Sequence, residues 1–200
     1  MDLIVSPAVL IPRPETEHVI ETVLDQIPAP GAGIRMADVG TGSGAIALAL
    51  GREFPKAEIH ASDISSAALE IAKANAARLE LIDRIQFHNT DLLHELNGNF
   101  DLVVSNPPYV GESEEDQVQL EVRKFEPRAA VFAGPKGTEV IARLIPEALE
   151  KLRPGGWLVF EISGTIADEV QLLLKDWNDL KVVPDLQGIP RVVRARKPQG

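Results

Sequence analysis

From Arg35 onward the chain alternates short apolar runs with helix-length stretches, and few folds accept that order. The run "RMADVG" leads into the small-residue helix "SGAIALALGREF", "AEIHASD" leads into "SSAALEIAKANAARLEL", and the runs "RIQFHNTD" and "FDLVVSN" follow. Repeated β–α–β units of this kind place their strands in parallel and cover the sheet on both faces with helices. Upstream, "VLIPRPETEHVIETVLDQI" predicts a helix with Pro14 at its first position, Glu15 and Glu17 at its positive end, and one stripe of Val19, Ile20, Val23, Leu24 and Ile27. "PAPGAG" is expected to break it. Downstream, "GTEVIARLIPEALEKLRPGG" reads as a helix closed by Pro154-Gly155-Gly156, followed by the buried strand "WLVFEIS" and a helix near Ala167 to Leu174. The runs "LKVVPDL" and "RVVRARK" are expected to pair antiparallel through Gln187-Gly188-Ile189-Pro190. The polar, acidic segment from Gly111 to Pro135 is long for a connection and predicts a binding loop or lid with one helical turn.

A chain of 200 residues with 44% apolar content can bury one sizeable core, so residues 1–200 are expected to form one domain. No apolar window is long enough to span a bilayer and no leader opens the chain, which predicts a soluble protein without a secretion signal; the lack of cysteine suits the cytoplasm, and a monomer is expected. The absence of cysteine excludes disulfides, iron–sulfur clusters and thiolate zinc sites. His18, His60, His88 and His94 show no metal-ligand spacing with a carboxylate, so no metal site is expected. A net charge of −10 disfavours attachment to nucleic acid or anionic membrane. The basic "PRVVRARKP", with Arg191, Arg194, Arg196 and Lys197, reads as a solvated edge strand guarded by charge.

"MADVGTGSGAIAL" places Gly40, Gly42 and Gly44 where the first strand of the alternation becomes a helix. Glycine admits positive φ and close ligand approach, and the helix N-terminus offers free N–H groups. The pattern also satisfies a dinucleotide fingerprint. Asp63 ends the next strand, where a carboxylate can accept both hydroxyls of a ribose. Asp91, after the strand that follows, can accept from the exocyclic amino group of adenine. Each aspartate alone is an ordinary cap or turn residue; together they describe a nucleoside pocket. Acidic side chains suit S-adenosylmethionine, a sulfonium cation without phosphate, better than a dinucleotide, and Asp38 adds to that preference.

"VVSNPPYVG" ends the fourth strand in two prolines, an expensive stop for a strand unless rigidity is needed. The topological switch places this corner beside the glycine turn. The Asn106 side-chain oxygen and the Pro107 carbonyl can hold both N–H groups of a planar NH2 and aim its lone pair at a methyl group. Tyr109 is expected to pack on the flat substrate group and favour the positive charge passing to it.

Five stretches carry a resemblance to a known family: "VLIPRPETE", "DVGTGSGAIALAL", "SNPPYV", "EVRKFEPRAAVFAG" and "DLQGIPRVVRAR". Over nearly all its length the chain resembles the catalytic domain of the HemK-like peptide chain release factor N(5)-glutamine methyltransferases. The resemblance implies a Rossmann-like class I S-adenosylmethionine-dependent methyltransferase, with a mostly parallel seven-stranded sheet, helices on both faces and a C-terminal antiparallel strand pair. It implies methylation of the glutamine amide in the Gly-Gly-Gln tip of a release factor, with no direct contact to nucleic acid. Gly40, Thr41, Gly42, Ser43, Gly44 and Asp63 would bind the cofactor, Asp91 and Leu92 would flank its adenine, and Asn106, Pro107, Pro108 and Tyr109 would seat the glutamine. The family normally carries an N-terminal helical docking domain, which this sequence is expected to lack, and Ser163 stands after "FEI" where glycine is usual. Ribosomal-protein glutamine methyltransferases and amino-methylating nucleic-acid enzymes share the Asn-Pro-Pro-Tyr corner. A nicotinamide oxidoreductase is the more distant alternative, since no Tyr-Lys pair or histidine acid is apparent.

Overall fold

A computed structural model describes residues 1–27 and 33–199, so all but the last residue of the "PAPGAG" break at 28–33 lies outside the described residues. In chain order the helices and strands are α1 (Thr16–Gln26), β1 (Arg35–Val39), α2 (Ala45–Glu53), β2 (Glu58–Asp63), α3 (Ser66–Arg78), β3 (Ile85–Asn89), β4 (Phe100–Ser105) and β5 (Val110–Gly111). They continue with α4 (Leu120–Phe125), α5 (Arg128–Val131), β6 (Phe132–Gly134), α6 (Glu139–Lys151), β7 (Leu152–Glu161), α7 (Ala167–Leu173), β8 (Asn178–Pro184) and β9 (Pro190–Arg196). The main sheet is seven-stranded in the order β3-β2-β1-β4-β7-β9-β8. Strands β1 to β4 and β7 run parallel, while β9 is antiparallel to both β7 and β8. The parallel sheet and its antiparallel C-terminal pair are those the sequence predicts.

Alternation along the central strands divides the core into two layers. Met36, Leu102, Val104 and Val159 pack with Val19 and Val23 of α1 and Ile46 and Leu50 of α2. Ala37, Val103, Leu158 and Phe160 pack with Ile141 and Leu144 of α6 and Val170 of α7. Among the described residues, no helix is long and apolar enough to cross a membrane.

Four local expectations are corrected. Helix α1 begins at Thr16 rather than Pro14, because Pro14 and Glu15 form a preceding tight turn whose carbonyls accept from Glu17 and His18. Its stripe is also narrower than expected, for Val19 and Val23 are fully buried while Leu24 is exposed. Pro154-Gly155-Gly156 does not close α6: the helix stops at Lys151, and the Pro-Gly-Gly lies in a bulge of β7 between the Phe100–Leu152 and Leu102–Trp157 pairs. Gly155, at φ +74°, supplies the left-handed residue the bulge needs. The "RVVRAR" strand is not an edge. It lies between β7 and β8, with Arg191 paired to Asp185 and the guanidinium groups of Arg194 and Arg196 over the Trp157 ring. The alternation that suggested a solvated edge is that of a strand whose arginines lie along an aromatic ring.

The fourth correction concerns the segment after Gly111, which holds more structure than a lid with one turn. It contains a 3-10 stretch at Glu112–Gln117, helices α4 and α5, and a two-stranded parallel sheet of β5 and β6. Glu126 fastens it to the N-terminal arm through an ion pair with Arg13 and a bond from the Ile11 N–H. Ser163 fits without strain, at φ −85°, with its hydroxyl 2.7 Å from that of Thr165.

Candidate active site

The chain leaves β1 toward β2 on one side, while β4 lies on the other, so the ends of β1 and β4 flank a topological switch. A cavity of about 460 Å³ opens there. Gly40, Thr41, Gly42, Ser43, Asp63, Asp91, Leu92, Asn106 and Pro108 all line it, while Gly44, Pro107 and Tyr109 do not.

The glycine turn is held from beneath by Asp38. Its Oδ2 accepts the Thr41 hydroxyl at 2.6 Å and the Ala47 N–H at 3.0 Å, tying strand end to helix start. Its Oδ1 is buried without a partner. Burial pushes the Asp38 carboxyl up to about 6 against those bonds, and the charge of Asp63 adds to the rise. Gly40, Gly42 and Gly44 all have positive φ. A Cβ at Gly40 would meet no protein atom within 4 Å, so the space in front of the turn is open to a ligand. At Gly44 it would press on Leu48 and Ala72 at 3.2 and 3.3 Å, so that glycine serves helix packing behind the turn.

Asp63 braces the same turn. Its Oδ2 accepts the Gly42 N–H at 2.9 Å and its Oδ1 the Ser65 N–H at 2.8 Å, leaving each oxygen free to accept one further donor. Burial raises its pKa despite these bonds. Leu92 adopts a left-handed backbone, φ +47°, and its carbonyl accepts the Ser62 hydroxyl. Asp91 is paired with Arg143, a cavity residue that the sequence reading did not single out. The fit to a nucleoside is thus direct: an open glycine cradle, a carboxylate with two free acceptor positions, and a second carboxylate farther along.

The corner is held differently. The Asn106 side-chain NH2 donates to Thr16 Oγ1 at 3.0 Å, the Thr16 hydroxyl donates to Glu161 Oε2 at 3.2 Å, and the Tyr109 hydroxyl donates to Glu161 Oε1 at 2.9 Å. Ser105 Oγ donates to the Val39 carbonyl at 2.7 Å, locking the end of β4 to the end of β1. Burial, reinforced by the Glu161 charge, raises the Tyr109 pKa, so the ring stays a neutral phenol. Its ring packs on the α6 side of the core, and its hydroxyl faces Glu161 rather than the cavity. Glu161, only 1% exposed, also has a raised pKa; burial outweighs the Tyr109 and Thr16 bonds and the nearby Arg191.

Thr16 and Glu161 were not among the predicted site residues. Thr16 lies inside "PRPETE", which reads as a helix start. A carboxylate ending the apolar run "WLVFE" was the available signal for Glu161, since Asp63 ends β2 in the same way. Among the described residues, no three His, Cys, Asp or Glu side chains converge as a metal ion would require.

Residues 17–126 match the family model of the methyltransferase small domain. The release factor glutamine methyltransferase of Koribacter versatilis is 55% identical over 98% of this chain and 70% of its own length. The chain belongs to the release factor glutamine methyltransferase family. The family member of Rhodopirellula baltica is 41% identical over 94% of the chain and 67% of its own length. Similarity of fold reaches further: a ribosomal protein L11 methylase from Lactobacillus delbrueckii subsp. bulgaricus superposes with a TM-score of 0.65 at 24% identity, covering 92% of this chain and 77% of that one. The matched domain takes in the glycine turn and the Asn106 corner, while Thr16 and Glu161 lie outside its limits.

Proposed function

We propose that this protein transfers a methyl group from S-adenosylmethionine to the side-chain amide nitrogen of the glutamine in the Gly-Gly-Gln segment of a peptide chain release factor. The observation that carries this reading, beside family membership, is the Asn106 amide. Its NH2 is committed to Thr16, which leaves its oxygen as an acceptor at the cavity that the glycine turn also lines.

When bound, S-adenosylmethionine supplies an electrophilic methyl group on a sulfonium. In this proposal the Gly40–Gly44 turn lets it approach the backbone closely, Asp63 accepts from the ribose hydroxyls, and Asp91 and Leu92 flank the adenine. A glutamine amide nitrogen is a poor nucleophile because its lone pair is shared with the carbonyl. Asn106 Oδ1 and the Pro107 carbonyl each accept one of its N–H groups, which fixes the plane of the amide and the direction of the lone pair. The prolines keep both acceptors in place without reorganisation during the reaction. Tyr109 stiffens the corner through Glu161. The net charge of −10 favours a protein substrate over amino-methylation of a nucleic acid. The helical docking domain expected from the resemblance belongs to the same proposal: placed ahead of the chain, it lowers KM for the release factor and leaves kcat unchanged.

Incubation of the protein with a purified release factor and S-adenosylmethionine, followed by peptide mass spectrometry, tests the reading. One added methyl group on the Gly-Gly-Gln glutamine is expected. Methylation elsewhere, or none, rejects it.

A further inference from the structure

Glu161 does not itself line the cavity, yet two hydroxyls converge on it, one from the cavity residue Thr16 and one from Tyr109. It ends β7 almost fully buried, and among the described residues it forms no ion pair, Arg191 being paired with Asp185 instead. A buried carboxylate is costly, and an apolar or neutral side chain of similar volume would serve packing better. Its presence calls for a task that a neutral group cannot do.

That task follows from hydrogen-bond polarity. A carboxylate only accepts, so the single proton of the Thr16 hydroxyl points at Glu161. Thr16 Oγ1 is then left as an acceptor on its other side, and only the NH2 of Asn106 can satisfy it. The two ends of an amide are almost identical in shape, so packing alone does not choose between them. The polarity of the chain does. Resting on the proposed reaction, we infer that Glu161 is a positioning residue: through the one-way relay Glu161–Thr16–Asn106 it turns the Asn106 oxygen, rather than its NH2, toward the substrate amide. The same carboxylate holds the Tyr109 hydroxyl, so both ends of the Asn-Pro-Pro-Tyr corner are referred to one atom group on β7.

Glu161→Gln tests this because it keeps the shape and reverses one bond. The introduced amide oxygen can still accept from Tyr109, but its NH2 must donate to Thr16. The Thr16 proton then points at Asn106, which turns its oxygen inward and presents NH2 to a substrate that itself offers N–H. Turnover is expected to fall at least about thirtyfold, on the scale of one misdirected catalytic hydrogen bond. Affinity for S-adenosylmethionine and the melting temperature should stay near wild type. Asn106→Asp alone should also be poor, because two carboxylates then compete for one hydroxyl proton. The double variant Asn106→Asp with Glu161→Gln restores a consistent relay: the introduced amide donates to Thr16, Thr16 donates to the introduced carboxylate, and its free oxygen accepts the substrate N–H. It should be at least about tenfold more active than either single variant. A residue that merely packs has no reason to show such recovery. Wild-type turnover by Glu161→Gln, or a double variant no better than the worse single one, overturns the inference.

Amide NMR separates this outcome from failure of the proposed function. In the wild-type protein the Asn106 side-chain NH2 protons should show a nuclear Overhauser effect to the Thr16 methyl group, and Glu161→Gln should abolish it. Loss of that contact supports the relay even if no release factor is methylated, while its persistence rejects the relay even in an active enzyme.

Discussion

The two walls of the cavity are held by different means. At the glycine turn it is backbone that is held: the Asp38 and Asp63 carboxylates accept the N–H groups of Ala47, Gly42 and Ser65, all close by in the chain. At the Asn106 corner side chains are held by side chains, through a relay between α1 and β7, with the Ser105 bond to the Val39 carbonyl behind it. A wall of braced backbone tolerates neither a change in φ or space along the turn nor the loss of its two carboxylate braces. A side-chain-held wall tolerates neither a lost group nor a reversed bond. The first suits recognition of a fixed cofactor shape, the second the aiming of one reactive atom.

The largest effect that would sharpen this contrast belongs to Asn106→Ala. Single-turnover methyl transfer should fall by at least about a hundredfold, about 2.7 kcal/mol, while calorimetry finds cofactor affinity close to wild type. Near-normal transfer would return the corner to the status of a structural turn. Asp63→Ala should act on the opposite wall, weakening S-adenosylmethionine binding by roughly 1.5 to 3 kcal/mol through loss of charge-assisted bonds. Because Asp63 also braces the Gly42 and Ser65 N–H groups, some of that loss should appear as a lower melting temperature of the free protein.

Gly44→Ala and Gly40→Ala divide the turn itself. At Gly44 both the positive φ and the contacts with Leu48 and Ala72 oppose a methyl group, so unfolding free energy should drop by about 1 to 2 kcal/mol or more. At Gly40 only the backbone cost applies, and the larger consequence should be lost cofactor affinity. Equal stability losses would mean that the turn is not packed as described. The smallest effect concerns Asp38. Its folded pKa of about 6 lies above the ordinary carboxylate value, so the folded state holds the proton more tightly. Its contribution to stability is present below the ordinary pKa and is lost as pH rises through about 6. Between pH 5 and pH 7 this amounts to on the order of 1 kcal/mol. Urea denaturation at both pH values should show Asp38→Asn lacking that part of the decline; an identical decline would assign it to Asp63 and Glu161, which shift in the same direction.

The same contrast explains what was legible in the sequence. Thr41 is three residues from Asp38, and Gly42 is 21 from Asp63, so the turn and its braces fall within one βαβ unit whose period announces it. Thr16 is 90 residues from Asn106 and 145 from Glu161, and no local pattern connects them. Asn106 itself was readable because adjacent prolines at a strand end are unusual; its orienting partners were not. In the same way, the Pro-Gly-Gly of β7 reads as a helix stop because its bulge depends on a neighbouring strand. "RVVRAR" alternates whether it stands at an edge or between strands, and its neighbours decide which.

The central place of β9 also has a consequence for the order of events during synthesis. On a ribosome the chain emerges from its N-terminus, and the far side of β7 has no partner until residues 190–196 are available. Until then a long apolar strand carries a row of unpaired amides and carbonyls, an invitation to association with other chains. Glu161, opposite Val192 in the register, is among the residues whose strand is completed last. The wall at the glycine turn can therefore assemble before β9 is made, whereas the wall at Asn106 gains its completed anchor only once β9 has emerged. A chain ended after Pro184 should accordingly aggregate or remain protease-sensitive even with S-adenosylmethionine present, and a soluble, protease-resistant product of that length would show that β7 does not wait for β9.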